Sequence, residues 1–198
     1  MDKRSFFDKH STSWDSTRHP GEEEKLPRVV SLAVVEPGQR VLDVGAGTGV
    51  LVPHLLLAMN NSGEIVELDS SAEMLEVGRG KGFPDSVSFL ETDIHHVPLP
   101  DESFDRVICN AAFPHFDDKP TSLLEMIRLL RPGGILVISH PIGREAVNDL
   151  HRDVDESVAM DRVPPAEVMA ALLRDAGLID VSVLDEPEFY LARATKPL

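Results

Sequence analysis

The run Asp43-Val44-Gly45-Ala46-Gly47-Thr48-Gly49 is the first place where residue types and spacing suggest chemistry. Glycines at alternate positions let a backbone turn sharply and approach a ligand, because no Cβ stands in the way. The same run also serves as a bare strand-to-helix turn, so its partners in the sequence matter. Its G-x-G-x-G spacing departs from the G-x-G-x-x-G of a dinucleotide cradle, whose last glycine would fall at Val50. About twenty residues on, Asp69 closes the next apolar run, where a carboxylate can accept hydrogen bonds from both hydroxyls of a ribose. Alone, Asp69 fits a helix cap equally well; paired with the glycine loop it reads as a nucleoside ligand.

His115, His140 and His151 carry the proton-transfer chemistry, with Asp161 further along. Imidazole is the usual general base near neutral pH. His115 or His140 is therefore expected to touch an acceptor or take its proton. A sharper reading makes these three histidines ligands of a divalent metal such as zinc or iron, although their spacing matches no metal motif. His95-His96 reads as a solvated pair. Cys109, the single cysteine, reads as a small buried hydrophobe rather than a nucleophile.

The elements that must position these residues alternate in type. Short apolar, β-branched runs fall at residues 41–44, 64–69, 87–90, 106–109 and 135–139. Helical patterns lie between them, over 50–59, from a capping box at Ser70 and Glu73, and over 120–130 behind Asp117 and Asp118. Arg131-Pro132-Gly133-Gly134 is expected to stop that last helix, and Pro164-Pro165 opens another that runs to Ala176. Such alternation predicts a mostly parallel sheet with helices on both faces. Two final strands, 181–184 and 190–194, are too close for a crossover helix and should form an antiparallel hairpin at one edge. Ligands bind outside the carboxyl ends of such strands. The loop, Asp69, His115 after the fourth strand and His140 at the end of the fifth all map there. Residues 5–36 read as two helical pieces separated over 16–21.

Composition narrows the partners. At 198 residues, 42% hydrophobic and 27% charged, the chain suits one globular domain. Its formal net charge of -15 repels phosphate backbones and anionic lipid, which argues against nucleic acid as a main partner. The charged N-terminal stretch lacks the apolar run of a signal peptide, and no stretch is long and apolar enough to span a bilayer. A lone cysteine fits a reducing compartment, so a cytoplasmic protein without membrane insertion is expected.

Five pieces in order make the chain resemble the class I S-adenosylmethionine-dependent methyltransferases, especially the ubiquinone/menaquinone-type subgroup. They are the loop from Val41 to Gly49, Glu67-Leu68-Asp69-Ser70-Ser71-Ala72-Glu73-Met74-Leu75, Leu90-Glu91-Thr92-Asp93, Leu99-Pro100-Asp101-Glu102-Ser103-Phe104-Asp105, and Arg131-Pro132-Gly133-Gly134. The likeness is close over about residues 38–140 and looser elsewhere. It implies a Rossmann-like, seven-stranded α/β fold, and S-adenosyl-L-methionine as cofactor, leaving as S-adenosyl-L-homocysteine. By the same resemblance Gly45, Ala46 and Gly47 pass the methionine moiety and Asp69 holds the ribose. Ser70 and Met74 line the adenine, Asp93 accepts from its amino group, and the Ile94 amide donates to the ring. Asn110 sits where methionine-side and acceptor contacts gather. The chain then reads as a single domain, with a helical N-terminal cap at residues 1–38 and a catalytic core at 39–198. The resemblance suggests that the cap, with Phe6, Phe7 and Trp14, folds over the cofactor as a lid, and a helix simply packed on the sheet is the other reading.

Two departures matter. The fourth strand runs Cys109-Asn110-Ala111-Ala112-Phe113, without the aromatic-proline motif used on planar amides and exocyclic amines. Arsenic methyltransferases of this group need several cysteines. The reading is therefore direct in-line methyl transfer to a small-molecule acceptor, with specificity shaped by the lid and by residues 154–165. Two rival readings are a nicotinamide-dependent oxidoreductase and a non-catalytic module that binds the cofactor to regulate a partner.

Overall fold

The computed structural model describes residues 3–198. Its centre is one seven-stranded sheet: β1 (Arg40–Val44), β2 (Glu64–Asp69), β3 (Val87–Glu91), β4 (Phe104–Asn110), β5 (Leu130–His140), β6 (Ile179–Glu186) and β7 (Phe189–Thr195), in the order β3-β2-β1-β4-β5-β7-β6. The first five strands pair in parallel, and β7 runs antiparallel to both β5 and β6. Only Pro187 and Glu188 separate β6 from β7, too short a link for a crossover, so the expected hairpin forms. β7 inserts between β5 and β6, and the hairpin thus occupies one edge of the sheet.

The period-two pattern of β1 and β2 sends alternate side chains to opposite faces. Leu42, Val44, Val66 and Leu68 pack with α6 (Lys119–Leu129) and α8 (Ala166–Asp175) through Leu123, Met126, Met169 and Leu173. Val41, Ile65 and Ile108 pack on the other face with α3 (Leu26–Leu32) and α4 (Val52–Ala58) through Leu26, Val29, Val52 and Leu55. Each such leucine, fully withdrawn from water, contributes about 1.5–3 kcal/mol before conformational entropy is counted. Among the described residues no helix is long and apolar enough to cross a membrane.

Three local expectations are corrected. The cap of α5 (Ala72–Arg79) is Ser71 rather than Ser70: Ser71 has extended backbone and its Oγ accepts from the Met74 amide at 3.1 Å. The Pro132-Gly133-Gly134 turn does not sit between helix and strand. α6 ends at Leu129 and β5 begins at Leu130, so the turn lies inside the strand, with Gly133 at φ +74°. Leu130 pairs with Phe104 and Ile135 with Arg106, so the extra residues bulge out opposite Asp105. Finally, the helix expected over 50–59 is shorter, Val52–Ala58.

The remaining elements are N-terminal or surround the carboxyl ends of the strands. α1 (Lys3–His10), a 3-10 turn at Ser11–Ser13 and α2 (Trp14–Thr17) precede α3, and α7 (Arg144–Val154) follows β5.

Candidate active site

The glycine loop leaves β1 at Val44. Gly45, Gly47 and Gly49 all have positive φ, which L residues adopt only with strain. A Cβ on Gly45 would lie 2.3 Å from the Cβ of Ala112, so only glycine lets the loop approach the end of β4. A Cβ on Gly47 would meet nothing within 4 Å, so this side of the loop is open. The Gly45 and Ala46 amides donate to the Leu68 carbonyl, tying the loop to β2.

Asp69 ends β2 beside it. One of its carboxylate oxygens accepts from the Gly47 amide and the other from the Ser71 amide, both at 2.8 Å. Burial raises the carboxyl above its ordinary value, and these backbone donors work against that rise. Each oxygen keeps a second lone pair, so the group can still accept from two hydroxyls. The open loop and this anchored acid fit the ribose and methionine parts of S-adenosylmethionine, which when bound supplies an electrophilic methyl group on a sulfonium.

The other residues expected at the cofactor divide. Ser70 is exposed at the end of β2. Met74 and Ile94 are buried. Asp93 is exposed, and its Oδ1 takes hydrogen bonds from the amide and ring Nδ1 of His95. Burial opposes, but the His95 contacts prevail and hold Asp93 below the usual carboxylate range. Its neighbour is thus no free solvated histidine: the His95 ring also reaches Ser122 and the Asp118 carbonyl on the start of α6. Asn110 is buried at the end of β4, where its Oδ1 accepts from Ser139 at 2.9 Å.

The histidines come together from three separate elements. The rings of His115 and His151 lie 4.7 Å apart, and His140 is close enough for both to act on its charge. His115 Nδ1 donates to Asp161 Oδ2 at 2.8 Å, which leaves Nε2 as the basic nitrogen. His151 Nδ1 donates to the Asp161 carbonyl at 3.0 Å, so its Nε2 is likewise an acceptor. Asp161 is buried. Burial opposes its ionisation, but His115 and Lys3 outweigh that and hold it below its ordinary value. His140 is buried and pushed down to about 3, by burial first and then by His115 and His151. Its Nε2 is buried and has no partner among the described residues. A nitrogen so hard to protonate is a poor base, which leaves His115 as the better-placed one. The metal reading is corrected: among the described residues no group of His, Cys, Asp or Glu side chains is arranged to hold an ion.

The N-terminal segment closes this group. Lys3 Nζ reaches Asp161 Oδ1 at 2.9 Å, Asp117 at 2.7 Å and the His115 carbonyl at 3.0 Å. The Phe7 ring stands edge-on to His115 at 5.1 Å and to Trp14 at 5.5 Å. Asp8 accepts from Ser71 Oγ, and Asp15 accepts from Thr48 and pairs with Lys81. Residues 3–15 therefore touch the glycine loop, the start of α5 and the histidine cluster at once. Cys109 is buried, and burial pushes its thiol up, so it is no nucleophile.

Sequence reading missed Lys3, Asp8, Asp15 and Ser71 as site residues, since nothing in their spacing points across the fold. It also passed over a buried acid pair, Asp43 and Glu67, which had a visible signal: two carboxylates inside the innermost apolar strands.

A glycine loop after the first strand, an acid after the second and this strand order define a class I S-adenosylmethionine-dependent methyltransferase. A family model described as "Methyltransferase domain" matches residues 42–138. Over 176 residues the chain is 32% identical to the ubiquinone/menaquinone biosynthesis C-methyltransferase UbiE of Pseudomonas paraeruginosa, covering 75% of this chain and 68% of that protein. Among solved structures, a SAM-dependent methyltransferase from Aquifex aeolicus superposes with a TM-score of 0.75 at 22% identity, covering 98% and 99% of the two chains. Phosphoethanolamine N-methyltransferase 2 of Haemonchus contortus, solved with S-adenosyl-L-methionine, gives 0.73 at 18% identity over 88% of this chain and 53% of that one. The chain belongs to the class I S-adenosylmethionine-dependent methyltransferases, in the group that includes the ubiquinone/menaquinone C-methyltransferases.

Proposed function

We propose that the chain methylates a small acceptor bearing an acidic hydroxyl, a phenol or enol, and that His115 takes the acceptor's proton. The observation that carries this reading is the part-buried His115–Asp161 hydrogen bond of 2.8 Å, which fixes the tautomer and leaves Nε2 free to accept. A carboxylate behind an imidazole orients it and stabilises the imidazolium that forms. Removing the hydroxyl proton raises electron density on the oxygen and on the carbons conjugated with it, so attack from either atom becomes easier. The C-methyltransferase name of the UbiE relatives supports the carbon.

In this account Asp69 and the amides around Gly47 hold the nucleoside, with Gly45 and Ala46 beside the methionine part. Ser70, Met74, Asp93 and Ile94 surround the adenine, and Asn110 faces the acceptor side. His151 Nε2 and the unpaired His140 nitrogen position the acceptor without carrying charge. A buried unpaired polar atom costs about 1–3 kcal/mol, and a bound hydroxyl relieves that cost. Residues 3–17 act as the lid: Phe7 and Trp14 exclude water while Lys3 fixes Asp161 from above.

The test is transfer of a labelled methyl group from S-adenosylmethionine to panels of small phenols, enols, amines and thiols. Labelled product is expected from the hydroxyl-bearing acceptors. Transfer confined to amines or thiols would overturn the acceptor class.

A further inference from the structure

Asp43 and Glu67 are direct neighbours on the parallel strands β1 and β2, whose backbones run about 4.8 Å apart. Both point to the face that carries Val41 and Ile65, beneath α3 and α4. Glu67 is wholly buried and Asp43 nearly so, and among the described residues Glu67 Oε1, Glu67 Oε2 and Asp43 Oδ1 have no hydrogen-bond partner. A Cβ on Gly49 would lie 3.3 Å from Glu67 Oε2, so this carboxyl sits directly under the end of the glycine loop. Buried polar groups in proteins are as a rule hydrogen-bonded, whereas among the described residues neither oxygen of Glu67 has a partner.

Two adjacent carboxylates cannot both be ionised in a dry site. Burial, and then Asp43 and Asp69, push Glu67 well above its ordinary range, with only Lys81 beyond α5 pulling the other way. Burial and Asp69 push Asp43 up to about 8. A further titratable neighbour is Cys109 on β4, whose thiol burial pushes up. The pair therefore holds protons near neutral pH, under a loop that receives a cation. S-adenosylmethionine and S-adenosylhomocysteine differ there by one methyl group and one positive charge.

We infer that Glu67 is a charge-sensing residue that favours the sulfonium nucleoside over its neutral product. With the cationic nucleoside on the loop, the Glu67 carboxyl would release its proton to solvent, and the carboxylate beneath Gly49 would add its attraction to the positive charge. With the neutral thioether there, Glu67 takes a proton back from solvent and the attraction is gone. No electron moves and no covalent bond other than the carboxyl O–H breaks or forms. The product nucleoside is thereby held less tightly than the substrate.

Calorimetric titration in buffers of different ionisation enthalpy near pH 7, with each nucleoside in turn, reads this directly. Ribose and amino-acid contacts are common to both ligands, so their protons cancel in the comparison. The wild-type protein should release more protons on binding S-adenosylmethionine than on binding S-adenosylhomocysteine, by a difference approaching one. In Glu67→Gln the difference should vanish and the preference for the sulfonium should fall about tenfold. Equal proton counts for the two ligands in the wild type would overturn the inference whether or not the variant folds. A difference that survives in a folded Glu67→Gln would overturn it as well.

Discussion

Asp69 anchors the glycine loop through Gly47 and, in the proposed account, presents spare lone pairs to a ribose. Removing it should therefore weaken S-adenosylhomocysteine binding at least tenfold in Asp69→Ala, since hydrogen bonds to charged groups are worth roughly 1.5–3 kcal/mol. Calorimetry checks this, and an unchanged Kd would move the ribose elsewhere. Asp69 was legible because both of its partners lie in motifs with fixed spacing. Asp161 was visible only as one acid downstream of His151. Its partnership with His115 spans from the end of β4 to the loop before α8, and no local pattern encodes a contact made by the fold. Lys3 is harder still, a lysine in a charged N-terminal stretch that gains its meaning only by reaching Asp161.

At the scale of elements, the glycine loop is constrained by shape as well as by conformation. Gly45→Ala places a methyl group on a positive-φ residue and into Ala112. Strain of that kind costs about 1–3 kcal/mol, so the melting temperature should fall by several degrees and nucleoside binding should be lost with it. A variant with wild-type melting and binding would show that the loop has slack. The N-terminal helices make a second prediction. Asp15 joins Thr48 in the loop to Lys81, so Asp15→Ala should free residues 3–17 and speed their amide exchange several-fold in the presence of S-adenosylhomocysteine. Unaltered exchange would mean that this segment is fixed packing rather than a lid. The strands were readable from their β-branched runs and the hairpin from its short link. The Pro-Gly-Gly bulge inside β5 was not, because those residues also signal a helix stop, and only pairing with β4 decides between the two.

For the molecule as a whole, buried ionisable groups set how stability responds to pH. His140 has a folded pKa of about 3, far below its unfolded value, so its contribution is present above about 6.5 and is lost as pH falls toward 3. Asp43 is raised to about 8, so its contribution is full below about 4 and is lost as pH rises toward 8. The two oppose each other between those limits, and from about 6.5 to 8 only the acid acts. The nucleoside-free protein should therefore lose roughly 5 °C of melting temperature across that upper window, and Asp43→Asn should make the slope shallower without abolishing it, because Glu67 is raised as well. A melting temperature that stays level or rises there would contradict the burial of these acids as charge-free groups. Net charge and composition pointed away from nucleic acid, but they carried no trace of this behaviour, which depends on where carboxyls sit.

The proposal that His115 is the base, oriented by Asp161 beneath the N-terminal helix, stands at the centre of this account. Its most direct test is methyl transfer by wild type and His115→Ala side by side, on an acceptor found among the phenols or enols, with S-adenosylhomocysteine affinity measured for both. Turnover should fall at least tenfold in the variant while nucleoside affinity stays the same. Equal turnover by the two proteins would contradict the assignment and leave the methyl transfer to proceed without this histidine.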